Sequence, residues 1–142
     1  MKNTKLYVAY GSNMNKEQMK YRCPNAIPIG KSILNDYKLV FKGVADVIKC
    51  KGEKVPIAIW EITEECEKAL DIYEGYPRLY RKEYVDIQIG GKNEKAMIYV
   101  MNYGKGRYPS KVYFETIKKG YYDFKIPLTP LIKALYECQS IK

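Results

Sequence analysis

Two short stretches of this chain, Tyr10-Gly11-Ser12-Asn13-Met14 and Glu74-Gly75, hold residue types whose order suits chemistry. The first follows a short apolar run and precedes Asn15-Lys16-Glu17-Gln18, the pattern of a helix cap with a side chain returning from the third helical position. A glycine and two small polar residues on a strand-to-helix crossing can turn unpaired backbone N–H groups toward a carboxylate or phosphate. An ordinary tight turn would use the same residues, with Gly11 at positive φ and Ser12 and Asn13 bonded to local backbone. Glu74 closes a predicted helix just before Gly75, where the helix dipole disfavours a carboxylate by roughly 0.3–1 kcal/mol. Apolar neighbours Ile72, Tyr73, Tyr76 and Leu79 would desolvate it and raise its pKa into the range of a general acid–base group. The alternative is an exposed glutamate ahead of a helix-ending glycine. Asp71, three residues earlier on roughly the same helix face, reads as a structural companion whose charge would help keep Glu74 protonated.

The chain has no histidine, which removes most zinc sites, every Ser-His or Cys-His nucleophile pair and the usual neutral-pH base. Acid–base work therefore falls to Asp, Glu, Tyr, Lys or Cys. Cys23, Cys50, Cys66 and Cys138 are irregularly spaced with no Cys-x-x-Cys, so they are expected to be reduced, inert thiols in a cytoplasmic protein. No metal or other cofactor is expected. A net charge of +9 with 15 tyrosines invites a nucleic-acid reading, but the basic residues are scattered and no recognition motif accompanies them. A solvated basic surface explains them better, and neither nucleic acid nor a membrane is expected as a partner. No apolar run approaches the roughly 18 residues that a membrane span needs.

The elements that must position these residues are legible in outline. Length predicts one domain over residues 1–142, with a composition of 46% hydrophobic and 29% charged residues that suits a globular core. Strands are predicted at 6–10, 26–34, 37–42, 55–62, 80–89 and 95–103, separated by turn residues Asn35-Asp36, Gly52-Glu53 and Gly90-Gly91. Val85, Ile87 and Ile89 alternate with polar neighbours, and the last two strands should form a hairpin. Helices are predicted at 16–21, 64–73, 111–122 and 130–139, with Thr63 and Thr129 as caps. Many strands with interspersed helices and short connections indicate an α+β domain.

The pairing of Tyr10-Gly11-Ser12-Asn13 with Leu70-Asp71 and Glu74-Gly75 resembles the gamma-glutamylcyclotransferase-like superfamily, which includes the AIG2-like proteins. Arg22-Cys23-Pro24, Ile29-Gly30, Leu39-Val40-Phe41, Trp60, Tyr80, Pro109, Tyr113, Ile117 and Gly120-Tyr121 match in the same order. The resemblance implies a small closed or nearly closed mixed β-barrel flanked by helices. It also implies a reaction in which the α-amine of a small-molecule gamma-glutamyl compound attacks its own side-chain amide, forming 5-oxoproline and releasing an amine or amino acid. By that resemblance Glu74 is the acid–base residue. The loop Tyr10, Gly11, Ser12, Asn13 and Met14 holds the glutamyl end and polarises the carbonyl, and Tyr80 and Tyr113 line the pocket. Arg22, Arg78 and Arg81 could pair with a substrate carboxylate or simply carry surface charge. A non-catalytic module that binds an acidic metabolite on the same fold remains the alternative, because fold does not fix activity.

Overall fold

The computed structural model describes residues 3–138. The chain runs β1 (Thr4–Ala9), a 3-10 turn (Ser12–Met14), α1 (Lys16–Arg22), β2 (Ile27–Phe41), β3 (Ala45–Thr63), α2 (Glu64–Glu74), β4 (Tyr80–Ile89), β5 (Lys92–Met101), α3 (Lys111–Asp123) and α4 (Thr129–Glu137). One mixed sheet in the order β2-β3-β1-β5-β4 carries the fold. β1 lies antiparallel to β3 and parallel to β5. No ladder joins the two edge strands, so the expected barrel is not closed. The sheet nevertheless curls until Ser32 Oγ of β2 donates to the Gln88 carbonyl of β4 at 2.8 Å.

The central strands are buried on both faces. Tyr7 to Ala9, Val55 to Trp60 and Ala96 to Val100 form unbroken apolar runs within one contiguous core. Toward the β4 edge the alternation predicted from sequence holds: Val85 and Ile87 are buried while Tyr84, Asp86 and Gln88 face solvent. Gly90 and Gly91, at φ 55° and 81°, form the two-residue turn of the β4–β5 hairpin, a conformation that favours glycine at both positions.

One long hairpin departs from expectation. Asn35-Asp36 and Gly52-Glu53 were expected to end strands, yet β2 and β3 run through them and add a strand segment, Ala45 to Cys50, that sequence reasoning missed. The ladder passes from Asn35↔Lys54 to Tyr37↔Lys49, and Asp36 Oδ1 accepts the Gly52 amide at 3.0 Å across the irregularity. The turn residues thus face each other as a paired bulge, which lets a twisted ribbon bend without interrupting it.

Asn15 accepts from Gln18 N and Thr63 accepts from Cys66 N, as the sequence predicts for the caps of α1 and α2, but the Asn15 amide that a returning Gln18 side chain was to meet donates instead to the Ser12 carbonyl at 3.0 Å. α4 begins at Thr129 with no side-chain cap, and the residue 139 end predicted for it lies outside the described residues. Gly120 of α3 lets that helix lie directly on the 3-10 turn, because a Cβ there would fall 2.7 Å from Met14 Cβ. Cys23 and Cys66 are joined by a disulfide with 5.1 Å between Cα atoms, tying the end of α1 to the first turn of α2. This corrects the expectation of four reduced thiols. Irregular spacing along the chain says nothing about sulfurs brought together by helix packing; Cys50 and Cys138 are free. Among the described residues no helix is long and apolar enough to cross a membrane.

Candidate active site

β1 delivers Tyr10 and the Gly11–Asn13 loop to one end of the sheet, and α2 delivers Glu74 to the same place. Thr63 starts α2, and Gly75 ends it at φ 70°, its amide returning to the Ile72 carbonyl at 3.2 Å. Between the two segments lies a cavity of about 340 Å³. Tyr10, Gly11, Ser12, Asn13, Glu74, Tyr80 and Tyr113 all line it. Met14 does not: it is fully buried in the core beneath α3, where its amide closes the turn onto the Gly11 carbonyl.

The lining is mostly tyrosine and aliphatic side chains, and among the described residues Glu74 is the one charged member of it. Burial pushes the Glu74 carboxyl up to about 7, a rise that nearby Arg22 opposes and Asp46 reinforces. Ile72 points outward at 84% exposure and contributes nothing, whereas Tyr73 and Leu79 stand on the cavity wall. Asp71 is not the carboxylate acting on Glu74. It accepts Tyr99 Oη at 2.6 Å and pairs with Lys82 Nζ at 2.9 Å. Asp46, fully buried on β3, takes that part while held by Lys42 Nζ at 2.7 Å and the Met101 amide at 3.0 Å.

The Gly11 loop is fixed by long-range bonds. Tyr10 Oη donates to the Tyr99 carbonyl at 2.6 Å. Trp60 Nε1 donates to the Asn13 carbonyl at 3.0 Å, and Asn13 Nδ2 donates to Tyr7 Oη at 3.0 Å. Ser12 Oγ and Tyr73 Oη share a hydrogen bond of 3.1 Å. Gly11 is required for space and not for positive φ, since its φ is −124°. A Cβ there would sit 3.1 Å from Tyr113 Oη and 3.2 Å from Ala45 Cβ.

The supply of backbone donors differs from the one expected of an anion loop. Met14 N and Asn15 N bond inside the 3-10 turn, to the Gly11 and Ser12 carbonyls at 3.0 Å each. The Ala45 amide donates to Tyr113 Oη at 3.0 Å, and the Ser12 amide acts on the same oxygen. Burial drives the Tyr113 phenol upward while these two amides hold it back. Tyr80 is likewise pushed up by burial and then by Glu74, so both phenols stay protonated as donors.

Sequence reasoning missed Tyr7, Tyr99, Tyr103, Val44, Ala45 and Met101 on the wall, and Asp46 behind it. Tyr7 carried no usable signal, because a three-residue spacing on a strand would set it on the face opposite Tyr10; the two share the cavity because β1 ends at Ala9, before Tyr10. The others enter through β3, β5 and the following loop, which only the sheet order brings here. Arg22, Arg78 and Arg81 do not line the cavity; Arg22 stacks behind it on Tyr73, and Arg81 pairs with Glu83 at 2.8 Å.

Residues 7–124 match the family described as gamma-glutamyl cyclotransferase, AIG2-like. The chain is 28% identical over 140 residues to a gamma-glutamylcyclotransferase of Bos taurus, covering 87% of this chain and 73% of that protein. A gamma-glutamylcyclotransferase of Mus musculus is 29% identical over 134 residues, covering 82% and 70%. Among solved structures, a gamma-glutamyl cyclotransferase superposes with a TM-score of 0.81 at 24% identity over 98% of this chain and 88% of that one. YkqA of Bacillus subtilis gives 0.80 at 23% identity over 99% and 56%, a likeness of fold. With the Gly11 loop and Glu74 facing one cavity and the family's pattern spanning most of the sequence, this chain belongs to the gamma-glutamyl cyclotransferase, AIG2-like family.

Proposed function

We propose that the protein is an enzyme that cyclises the gamma-glutamyl group of a gamma-glutamyl amino acid or gamma-glutamylamine to 5-oxoproline, with Glu74 moving the protons. One observation carries the reading: a single carboxyl, with no hydrogen-bond partner among the described residues and raised to about 7, in a tyrosine-lined cavity facing the Gly11–Asn13 loop. A carboxyl near pH 7 is divided between its acid and base forms, as a residue that both accepts and returns a proton requires.

In this reading the Glu74 carboxylate takes a proton from the substrate α-ammonium, and the freed amine attacks the side-chain amide carbon. The oxyanion that develops is stabilised by the protonated Tyr80 and Tyr113 phenols, the latter made a stronger donor by the Ser12 and Ala45 amides on its oxygen, while the Gly11–Asn13 loop holds the glutamyl end. Glu74 returns its proton to the amide nitrogen, the C–N bond breaks and the amine leaves. Attack within one molecule supplies proximity, so the protein's task is to hold the reactive conformer and exclude water. No step uses a metal or another cofactor.

The test is a panel of gamma-glutamyl dipeptides, gamma-glutamylamines and epsilon-(gamma-glutamyl)-lysine assayed for 5-oxoproline in labelled water. The expected product carries no label, and the N-acetylated substrate is inert because its amine lacks an available lone pair. Free glutamate as first product, or steady turnover of the acetylated compound, would reject cyclotransfer. Failure of the whole panel would leave a binding module for an acidic metabolite.

A further inference from the structure

Behind the cavity, outside its lining, one side chain touches both halves of the wall. Arg22 ends α1, and its Nη1 donates to Asn13 Oδ1 at 2.7 Å. The same guanidinium lies 3.6 Å from the centre of the Tyr73 ring. Asn13 passes the constraint to Tyr7 through Nδ2, and Tyr73 passes it to Ser12 through its hydroxyl. Tyr7, Ser12, Asn13 and Tyr73 all line the cavity. The next residue, Cys23, is bonded to Cys66 of α2, so the backbone that carries Arg22 is itself anchored to the helix that carries Glu74.

We propose that Arg22 is a positioning residue that sets the separation between the Gly11–Asn13 loop and Glu74, holding Asn13 with one N–H and Tyr73 with its flat face. A guanidinium can stack on a ring and donate in its own plane at once; an ammonium cannot reproduce that pair of contacts. Arg22 acts through Asn13 and Tyr73 and does not touch the substrate. Its charge has a second consequence, because the groups that act on or surround Glu74 are Arg22 from α1, Asp46 from β3, and the hydroxyls of Tyr7, Tyr10, Tyr73, Tyr80 and Tyr113. Arg22 is the cation among them.

This inference rests on the cyclotransfer reading, and the experiment separates the two. Wild type, Arg22→Met and Arg22→Lys are assayed on the best substrate of the panel for kcat, KM and the pH profile of kcat/KM. Loss of position should lower kcat of Arg22→Met by about 30-fold or more with KM within about threefold, since misplacement by an ångström costs on that order. Its acidic limb should move to higher pH, because the cation that favours the Glu74 carboxylate is gone. Arg22→Lys should keep the limb near wild type yet recover less than about a tenth of wild-type kcat. Should the methionine variant not fold, the lysine variant decides by kcat and limb alone. Wild-type kcat in Arg22→Met, a loss confined to KM, or full rescue by lysine overturns the proposal. An inert wild type sinks the cyclotransfer reading and this one with it, whereas an active wild type beside an equally active Arg22→Met sinks only this one.

Discussion

Asp71 and Glu74 stand three residues apart on α2 and meet opposite fates. Asp71 belongs to a compensated cluster: Lys82 Nζ lies 2.9 Å from it and 2.6 Å from Glu67, Lys5 reaches Glu67 at 2.9 Å, and Tyr99 Oη donates at 2.6 Å. Lys82 also sits 4.2 Å above the Tyr76 ring. Among the described residues Glu74 has no such partners, and the charges that act on it are those of Arg22 and Asp46. Burial pushes both carboxyls upward, yet the net shifts have opposite sign. Desolvation raises Glu74, whereas at Glu67 the bonds to Lys82 and Lys5 outweigh desolvation and bring the carboxyl below its ordinary value. A saturated carboxylate supports structure, while an unsaturated buried one is free to exchange its proton.

The largest effect that tests this contrast is Glu74→Gln. Turnover should fall about 10²- to 10⁴-fold, roughly 3–5 kcal/mol of barrier, while substrate affinity and fold persist. Retention of more than a tenth of wild-type kcat would assign the proton transfers elsewhere.

The pH dependence of stability should separate the regions next. Glu74 has a folded pKa of about 7 against an ordinary 4.5, so between those values the native state binds more protons than the unfolded chain. Its contribution therefore falls as pH rises through that window, by up to about 3 kcal/mol, and is constant outside it. Glu67 has the reverse sign: its contribution is present above 4.5 and is lost as pH falls through its lowered folded value. Urea unfolding of wild type and Glu74→Gln should diverge from pH 4.5 to 7, with the variant gaining relative stability. Parallel curves would mean that Glu74 is solvated.

Lys82→Met should break the compensated cluster. Leaving Glu67 and Asp71 without their shared cation at a partly buried site should cost about 1–3 kcal/mol of stability. Thermal unfolding should show it, with kcat within about threefold of wild type if that cluster is structural. The smallest effect is expected from Gly11→Ala, whose Cβ would press on Tyr113 Oη at 3.1 Å. Crowding of the amide-bound phenol should raise KM by about tenfold, or roughly 1.4 kcal/mol, and Gly11→Val should do more. Normal binding by a folded Gly11→Val would show that the loop is only a turn.

Local signals were legible where one element settles its own outcome. The Asn15 and Thr63 caps, the Gly90-Gly91 turn and the alternation of Val85 and Ile87 depend on neighbours within a few residues, and each stands as expected. The Asn35-Asp36 and Gly52-Glu53 signals were real but misassigned. Turn chemistry in one strand cannot reveal that another strand carries a matching irregularity opposite it.

From sequence alone came the residue types of the chemistry: a chain without histidine, a Gly11–Asn13 loop after an apolar strand, and a glutamate at a helix end before a glycine. Those follow from composition and short-range pattern. Tertiary structure decided which charges act on that glutamate, Asp46 and not Asp71 with Arg22 from behind the wall, and which neighbour stands on its cavity, Tyr73 and not Ile72. It also decided that Cys23 meets Cys66 and that Met14 turns into the core. The reason is that burial and Coulomb interactions act through space, and the sheet order β2-β3-β1-β5-β4 brings together residues tens of positions apart that no local pattern can pair.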